Sequence, residues 1–235
     1  MSFRIRRVGG TALSALRGGS ATVFASFERS CYVETPAGIA CLGSHGLGLG
    51  PLNAIVENFE APVTGDVVSI DLSSALLWRP SVSAVRKEFP GIEIPKAIEH
   101  EARAFLSWLK NEGTPLDALI GLGPGLTPAG DDFAGGAMIA LRACGTAAGH
   151  AALADRIAAW ALPLAQERTN RISRAHLACA AQGEGHEALH DLLTFRDPEK
   201  DLARLARVGH TSGLDAAAGA LLALNGVPTG VRGLR

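Results

Sequence analysis

Short runs of β-branched and aromatic residues occupy the first third of the chain, and apolar residues at helical spacing occupy the rest. Residues 22–27 read as a strand. Residues 30–34 and 38–42 flank the turn Thr35-Pro36-Ala37-Gly38 and read as a hairpin. A glycine-rich bend follows, from His45 to Asn53, and residues 67–72 form a further strand candidate. Around Pro80 the pattern changes. Ile98, Ala102, Phe105 and Leu109 fall on one helical face, with Gly113 as the stop. Helices are then expected over about 128–144, 150–167, 171–182, 185–194, 198–207 and 213–225, with ends uncertain by about two to four residues. Asp197-Pro198 is a start signal, a side-chain oxygen followed by proline at the first helical position. The glycine-rich tail after Asn225 is expected to be loosely ordered. Strands first and helices afterwards predict an α+β fold. The predicted division is a β-rich subdomain over 1–85 and an α-helical subdomain over 86–235.

Composition narrows what such a chain can bind. Of its 235 residues 47% are hydrophobic, enough for a sizeable core, and 19% are charged with a formal net charge of -1. No long-range field draws in nucleic acid or an anionic membrane, so an anionic ligand must be held by local geometry. The four cysteines, Cys31, Cys41, Cys144 and Cys179, show no CxxC spacing and read as small buried apolar residues of a cytoplasmic protein. Arg4, Arg6 and Arg7 precede a mildly apolar stretch, but Gly9, Gly10, Arg17, Gly18 and Gly19 break it, so neither an export signal nor a membrane span is expected.

Two glycine-rich turns carry the candidate chemistry. The first, Gly121-Leu122-Gly123-Pro124-Gly125-Leu126-Thr127-Pro128-Ala129-Gly130-Asp131-Asp132-Phe133, opens an apolar helix. Thr127 suits the N-cap, Pro128 the first helical position, and Asp131 and Asp132 the first turn. Gly121, Gly123 and Gly125 would let backbone amides line a nest for phosphate or carboxylate. The two aspartates oppose an anion there, which leaves three alternatives: carboxylates turned aside, a metal such as Mg²⁺ bridging to the anion, or a capping turn alone. The second turn, Gly209-His210-Thr211-Ser212-Gly213-Leu214-Asp215, opens a small-residue helix. Ser212 and Asp215 have capping-box spacing, which leaves His210 to act as proton donor, base or oxyanion partner, or as a structural residue. The turns echo each other, Gly125-Leu126-Thr127 against Gly209-His210-Thr211, and Asp132 against Asp215. If their helix starts converge, amides, hydroxyls and carboxylates would share one pocket. A third segment, Arg168-Thr169-Asn170-Arg171-Ile172-Ser173, with His176 one turn on, offers guanidinium groups for a carboxylate or phosphate, or merely a solvated helix end. The phosphate loop GxxxxGK[ST], HExxH and GxSxG are absent, and no GxGxxG stands in a strand–helix setting.

On these residues the chain resembles a bacterial family first grouped as a domain of unknown function and later tied to the AllH-type subunit of oxamate carbamoyltransferase. GLGPGLTPAGDDF at 121–133, the block at 169–173 and GHTSGLD at 209–215 carry the resemblance, and GPLNAIV at 50–56 looks similar. It implies a part in a multi-subunit enzyme of anaerobic purine (allantoin) breakdown. That enzyme interconverts oxalurate plus phosphate with oxamate plus carbamoyl phosphate. The Ser-Thr-Arg-Thr signature of ornithine- and aspartate-type carbamoyltransferases is missing. Carbamoyl transfer needs donors on the phosphate, polarisation of the carbamoyl oxygen and an acceptor for the amide proton. The expected anion-binding set is Gly123, Gly125, Thr127, Arg168, Thr169, Arg171, Thr211 and Ser212. The expected catalytic groups are Asp132, His210 and Asp215. Two other classes compete: a metal-dependent hydrolase with Asp131, Asp132 and Asp215 as Mg²⁺ ligands, and a non-catalytic subunit that docks partner subunits.

Overall fold

The computed structural model describes residues 1–80, 91–143, 149–194 and 197–226. The expected end of the first subdomain at 85, Cys144 and the tail after Gly226 lie outside the described residues. The chain divides into two compact units, Met1–Ser81 and Val82–Arg235. The first is β-rich and the second helical, which is the α+β arrangement expected from the order of the elements.

The first unit is a small barrel. Its strands are β1 (Ser2–Gly9), β2 (Ser20–Ser26), β3 (Ser30–Thr35), β4 (Gly38–Gly43), β5 (Asn53–Val56), β6 (Val67–Asp71) and β7 (Leu76–Trp78), with one helix, α1 (Gly10–Leu16). The sheet runs β5-β4-β3-β2-β6-β1-β7, and β1 also pairs with β5, which closes six strands into a ring and leaves β7 as an extension. The expected hairpin forms, Cys31 opposite Leu42 and Thr35 opposite Gly38, and the Thr35 hydroxyl accepts the Ala37 amide at 3.1 Å to fix the turn. Inward residues Phe3, Ile5, Val8, Val23, Val33, Leu42 and Val68 join Ala12, Ala15 and Leu16 of α1 in one apolar cluster. Gly9 is required where the chain passes from β1 into α1: a Cβ there would lie 2.1 Å from the Gly50 carbonyl oxygen. Asn53 pins the glycine-rich bend through a 3.0 Å bond to the Gly48 carbonyl. The buried thiols of Cys31 and Cys41 are pushed up to about 12, chiefly by loss of solvent, and are chemically quiet.

The second unit contains α2 (Glu99–Leu109), α3 (Ala129–Ala143), α4 (His150–Arg168), α5 (Arg171–Ala181), α6 (Glu187–Thr194), α7 (Pro198–Leu205) and α8 (Ser212–Gly226). The spacing predicted α3 to α8 within about two residues, while α2 ends at Leu109, ahead of the Gly113 expected to stop it. The start of α7 is the one expected, with the Asp197 carboxylate accepting the Lys200 amide at 3.1 Å. Helix α3 is apolar on all sides and is the axis of this unit: residues 133–141 are buried throughout. Against it α8 crosses at backbone contact distance. A Cβ on Gly136 would meet the Ala216 carbonyl oxygen at 1.9 Å, and one on Gly219 would meet that of Phe133 at 1.9 Å. This crossing brings the first turns of α3 and α8 side by side. Among the described residues no helix is long and apolar enough to cross a membrane.

Candidate functional site

The convergence expected of the two helix starts is present. Thr127 Oγ1 and Ser212 Oγ share a hydrogen bond of 2.7 Å across 85 residues of sequence. Both hydroxyls also lie close enough to the Asp132 carboxyl to favour its charged form. The local roles differ from those expected. Thr127 spends its hydroxyl on the other turn rather than on its own helix. Ser212 and Asp215 make no capping box: the Asp215 amide bonds the Thr211 carbonyl at 3.0 Å, and the Thr211 hydroxyl lies close to the Asp215 carboxyl. The echo therefore pairs the turns but not residue for residue, because Thr127 meets Ser212 and not Thr211.

Two carboxyl groups line this junction and both are incompletely satisfied. Asp215 is 4% exposed, and its Oδ2 is buried without a hydrogen-bond partner. Asp132 Oδ2 is likewise shut from solvent and unpartnered. Burial drives the Asp132 carboxyl well above the ordinary carboxylate range; the nearby charges of Asp215 and Asp131 push the same way, and the hydrogen bonds from Ser212 and Thr127 oppose them. Asp215 is also raised, by burial, against the Thr211 bond. No arginine or lysine bonds to either group among the described residues. A buried polar atom without a partner costs about 1–3 kcal/mol, and of the six such atoms among the described residues two belong to the aspartates of this junction.

Asp131, a candidate metal ligand in the sequence, has a different task. Its Oδ1 accepts the Gly121 amide at 2.7 Å, and its Oδ2 accepts the hydroxyls of Thr169 at 2.5 Å and Ser173 at 2.6 Å. One buried carboxylate thereby ties the first glycine turn and the α4–α5 junction to the start of α3. Both its oxygens are engaged in holding these segments together. Among the described residues no group of three or more His, Cys, Asp or Glu side chains is placed to hold a metal ion. Asn170, not Thr169, caps α5, accepting the amides of Ile172 and Ser173, and its amide nitrogen holds the Leu126 carbonyl at 2.8 Å. Sequence reasoning missed this bridging role of Asn170 and Ser173, although both lie in a segment it singled out.

The glycines have mixed duties. Gly121 must be glycine because a Cβ would lie 2.1 Å from the Arg168 carbonyl oxygen, and Gly123 because one would lie 2.9 Å from the Ala129 nitrogen. Gly125 faces open space, and only its φ of 99° requires glycine. Several amides expected to face a ligand are consumed internally: Gly121 by Asp131, Leu122 and Gly130 by the turn itself, and Gly213, Leu214 and Asp215 by the carbonyls of Val208 and Thr211. The amides of Gly123, Gly125, Leu126 and Thr127 bond nothing among the described residues. Donors for an anion are therefore concentrated on the first turn. Arg168, Arg171 and His210 are exposed at the ends of their segments. None of the three is bonded to the hydroxyl pair. Leu126 and Leu214, each 40% exposed, flank that pair, and they are the exposed large apolar side chains of the helical unit among the described residues.

The family model of oxamate carbamoyltransferase subunit AllH matches residues 119–224. That stretch contains both glycine turns, the α4–α5 junction and every residue of the junction just described; the similar-looking 50–56 lies outside it. No curated protein and no solved structure matches the chain.

Proposed function

We propose, from the AllH match and from the junction of the two helix starts, that this chain is a component of a carbamoyltransferase acting on small anionic amides, together with partner subunits. The reaction in view exchanges the carbamoyl group between oxalurate or oxamate nitrogen and phosphate. Its demands are an anchor for negative charge, polarisation of a carbonyl and a group that takes or gives the amide proton. The unbonded amides of Gly123, Gly125, Leu126 and Thr127 are the anchor, and the exposed guanidinium groups of Arg168 and Arg171 add positive charge. Of the two protons on the Thr127 and Ser212 hydroxyls one closes their mutual bond, and the other is left to polarise a bound oxygen. His210, exposed beside Thr211, is the remaining proton carrier. Asp132 and Asp215 are the acid–base pair: a carboxyl with a raised pKa lies closer to neutrality, where it exchanges a proton with least loss of driving force.

The observation that carries this reading is the 2.7 Å Thr127–Ser212 bond with two unsatisfied carboxyls behind it. It also bears on the electrostatic conflict raised by the sequence: burial favours the neutral form of these carboxyls, which weakens their repulsion of an anion at the same junction. Phosphorolysis of oxalurate tests the reading, measured on the chain alone and with candidate partner subunits. Turnover that falls by at least about a hundredfold in Ser212→Ala and Asp132→Asn is expected, the scale of losing a preorganised polar group. Full turnover in both variants would overturn it.

A further inference from the structure

We infer that Asp132 and Asp215 read the nitrogen of the ligand, so that the junction accepts a primary amide and rejects the carboxylate of the same shape. This rests on the anionic-amide reading above and adds to it which groups discriminate, and by what chemistry. The evidence is the state of two oxygen atoms. The Thr127 and Ser212 hydroxyls lie close to Asp132 and the Thr211 hydroxyl close to Asp215. On each aspartate Oδ2 is buried with no donor. The two groups are near enough for the charge of Asp215 to act on Asp132.

Two buried acceptors, held still and unpaired, call for a group with two hydrogen atoms on one nitrogen. A primary amide has that, a carboxylate has none, and a phosphate oxygen would meet acceptor against acceptor. The anionic end of the ligand then points away from the carboxyls, toward the open amides of Gly123–Thr127. A divalent cation or a guanidinium would also satisfy two carboxylate oxygens, and each is an outcome of the test. Both would favour fully ionised carboxyls, against the direction in which burial moves these groups.

Oxamate and oxalate differ only in an –NH2 replaced by –O⁻, which makes them the probes. Titration calorimetry of each into the intact chain is expected to show oxamate binding at least about tenfold tighter, because a site built around N–H donors penalises the analogue that lacks them. In Asp215→Asn the new side-chain amide can turn its own –NH2 toward the ligand, and the preference is expected to shrink or reverse; Asp132→Asn is the second variant should the first unfold. Equal affinity of wild type for the two probes would overturn the inference and leave the anion site standing. Binding of neither oxamate, oxalate nor inorganic phosphate would overturn both. Mg²⁺ or guanidinium binding that is lost in Asp215→Asn, with no amide preference in wild type, would assign the oxygens to a cation instead.

Discussion

Gly135 and Gly136 are neighbours in α3, yet the packing gives alanine opposite consequences at the two positions. At Gly135 a new Cβ would meet the Ala180 Cβ at 3.5 Å, an ordinary contact, and the helix gains propensity of about 0.5–1 kcal/mol. At Gly136 the new Cβ would lie 1.9 Å from the Ala216 carbonyl oxygen, with the Ala216 carbon atoms at 2.7 and 2.9 Å. Relief requires the α3 and α8 backbones to separate by more than an ångström, well beyond what a core absorbs. Overpacking of a methylene already costs about 1–3 kcal/mol, and here the obstacle is backbone, so about 3 kcal/mol is a floor even after the propensity gain. For a chain of this length that is a fall of about 6–12 °C in Tm, against a rise of about 1–4 °C for Gly135→Ala. Thermal unfolding followed by circular dichroism, with urea titration as a second probe, measures both. Because the same crossing aligns the Thr127 and Ser212 turns, Gly136→Ala is also expected to weaken oxamate binding more than Gly135→Ala does. Equal stability of the two variants would refute the backbone-contact account of the α3–α8 crossing.

Asp131→Ala strands an amide and two hydroxyls inside the protein, and urea unfolding should show a loss of about 3 kcal/mol or more, with Asp131→Asn intermediate. Asp132 gives a pH signature. Its carboxyl is raised in the fold, so the unfolded chain gives up a proton as pH climbs past the ordinary value of 3.8 while the folded chain keeps it. Wild type then loses stability with rising pH and Asp132→Asn does not, so the Tm advantage of the variant should widen from pH 4 to pH 8; a constant gap would contradict the shift. The turn between α5 and α6 responds in the opposite direction. His190 Nε2 accepts the Gly185 amide and His186 Nδ1 the Ala188 amide, each at 3.1 Å, which needs neutral rings. His176 and His190 are lowered from 6.5 to about 4, by burial first and then by His186, with Asp191 partly offsetting this at His190. Their stability contribution is complete above about pH 6.5 and drains away toward pH 4, so His190→Gln should flatten the acid limb of a Tm–pH curve.

Much of this architecture could be read along the chain. Helices announced themselves by spacing and by punctuation such as Asp197-Pro198, and the 30–42 hairpin by its turn. Strand β1 is hard to see in the sequence: Phe3 and Ile5 alternate with Arg4 and Arg6, but the register shifts at Arg7, and the arginines followed by glycines resemble a targeting segment. Strand β5, four residues long and buried on both faces, has no alternation to detect. At the site, the sequence could nominate both turns but could not assign the work within them. Asp131 and Asp132 are adjacent, and one residue is a rotation of about 100° on a helix. That rotation sends one carboxylate to Thr169 and Ser173 and the other to Ser212, a difference fixed only by where α4, α5 and α8 pack. For the same reason Gly136 and Gly219 looked like ordinary small helix residues until their partners were known.

The account stands on a receptor formed where α3 and α8 begin. A crystal soaked with oxamate tests it most directly. Density for the ligand is predicted against the Thr127 and Ser212 hydroxyls, its nitrogen toward Asp132 and Asp215 and its carboxylate toward the amides of Gly123–Thr127. Saturating oxamate that leaves this junction bare, or that settles elsewhere on the chain, would contradict it.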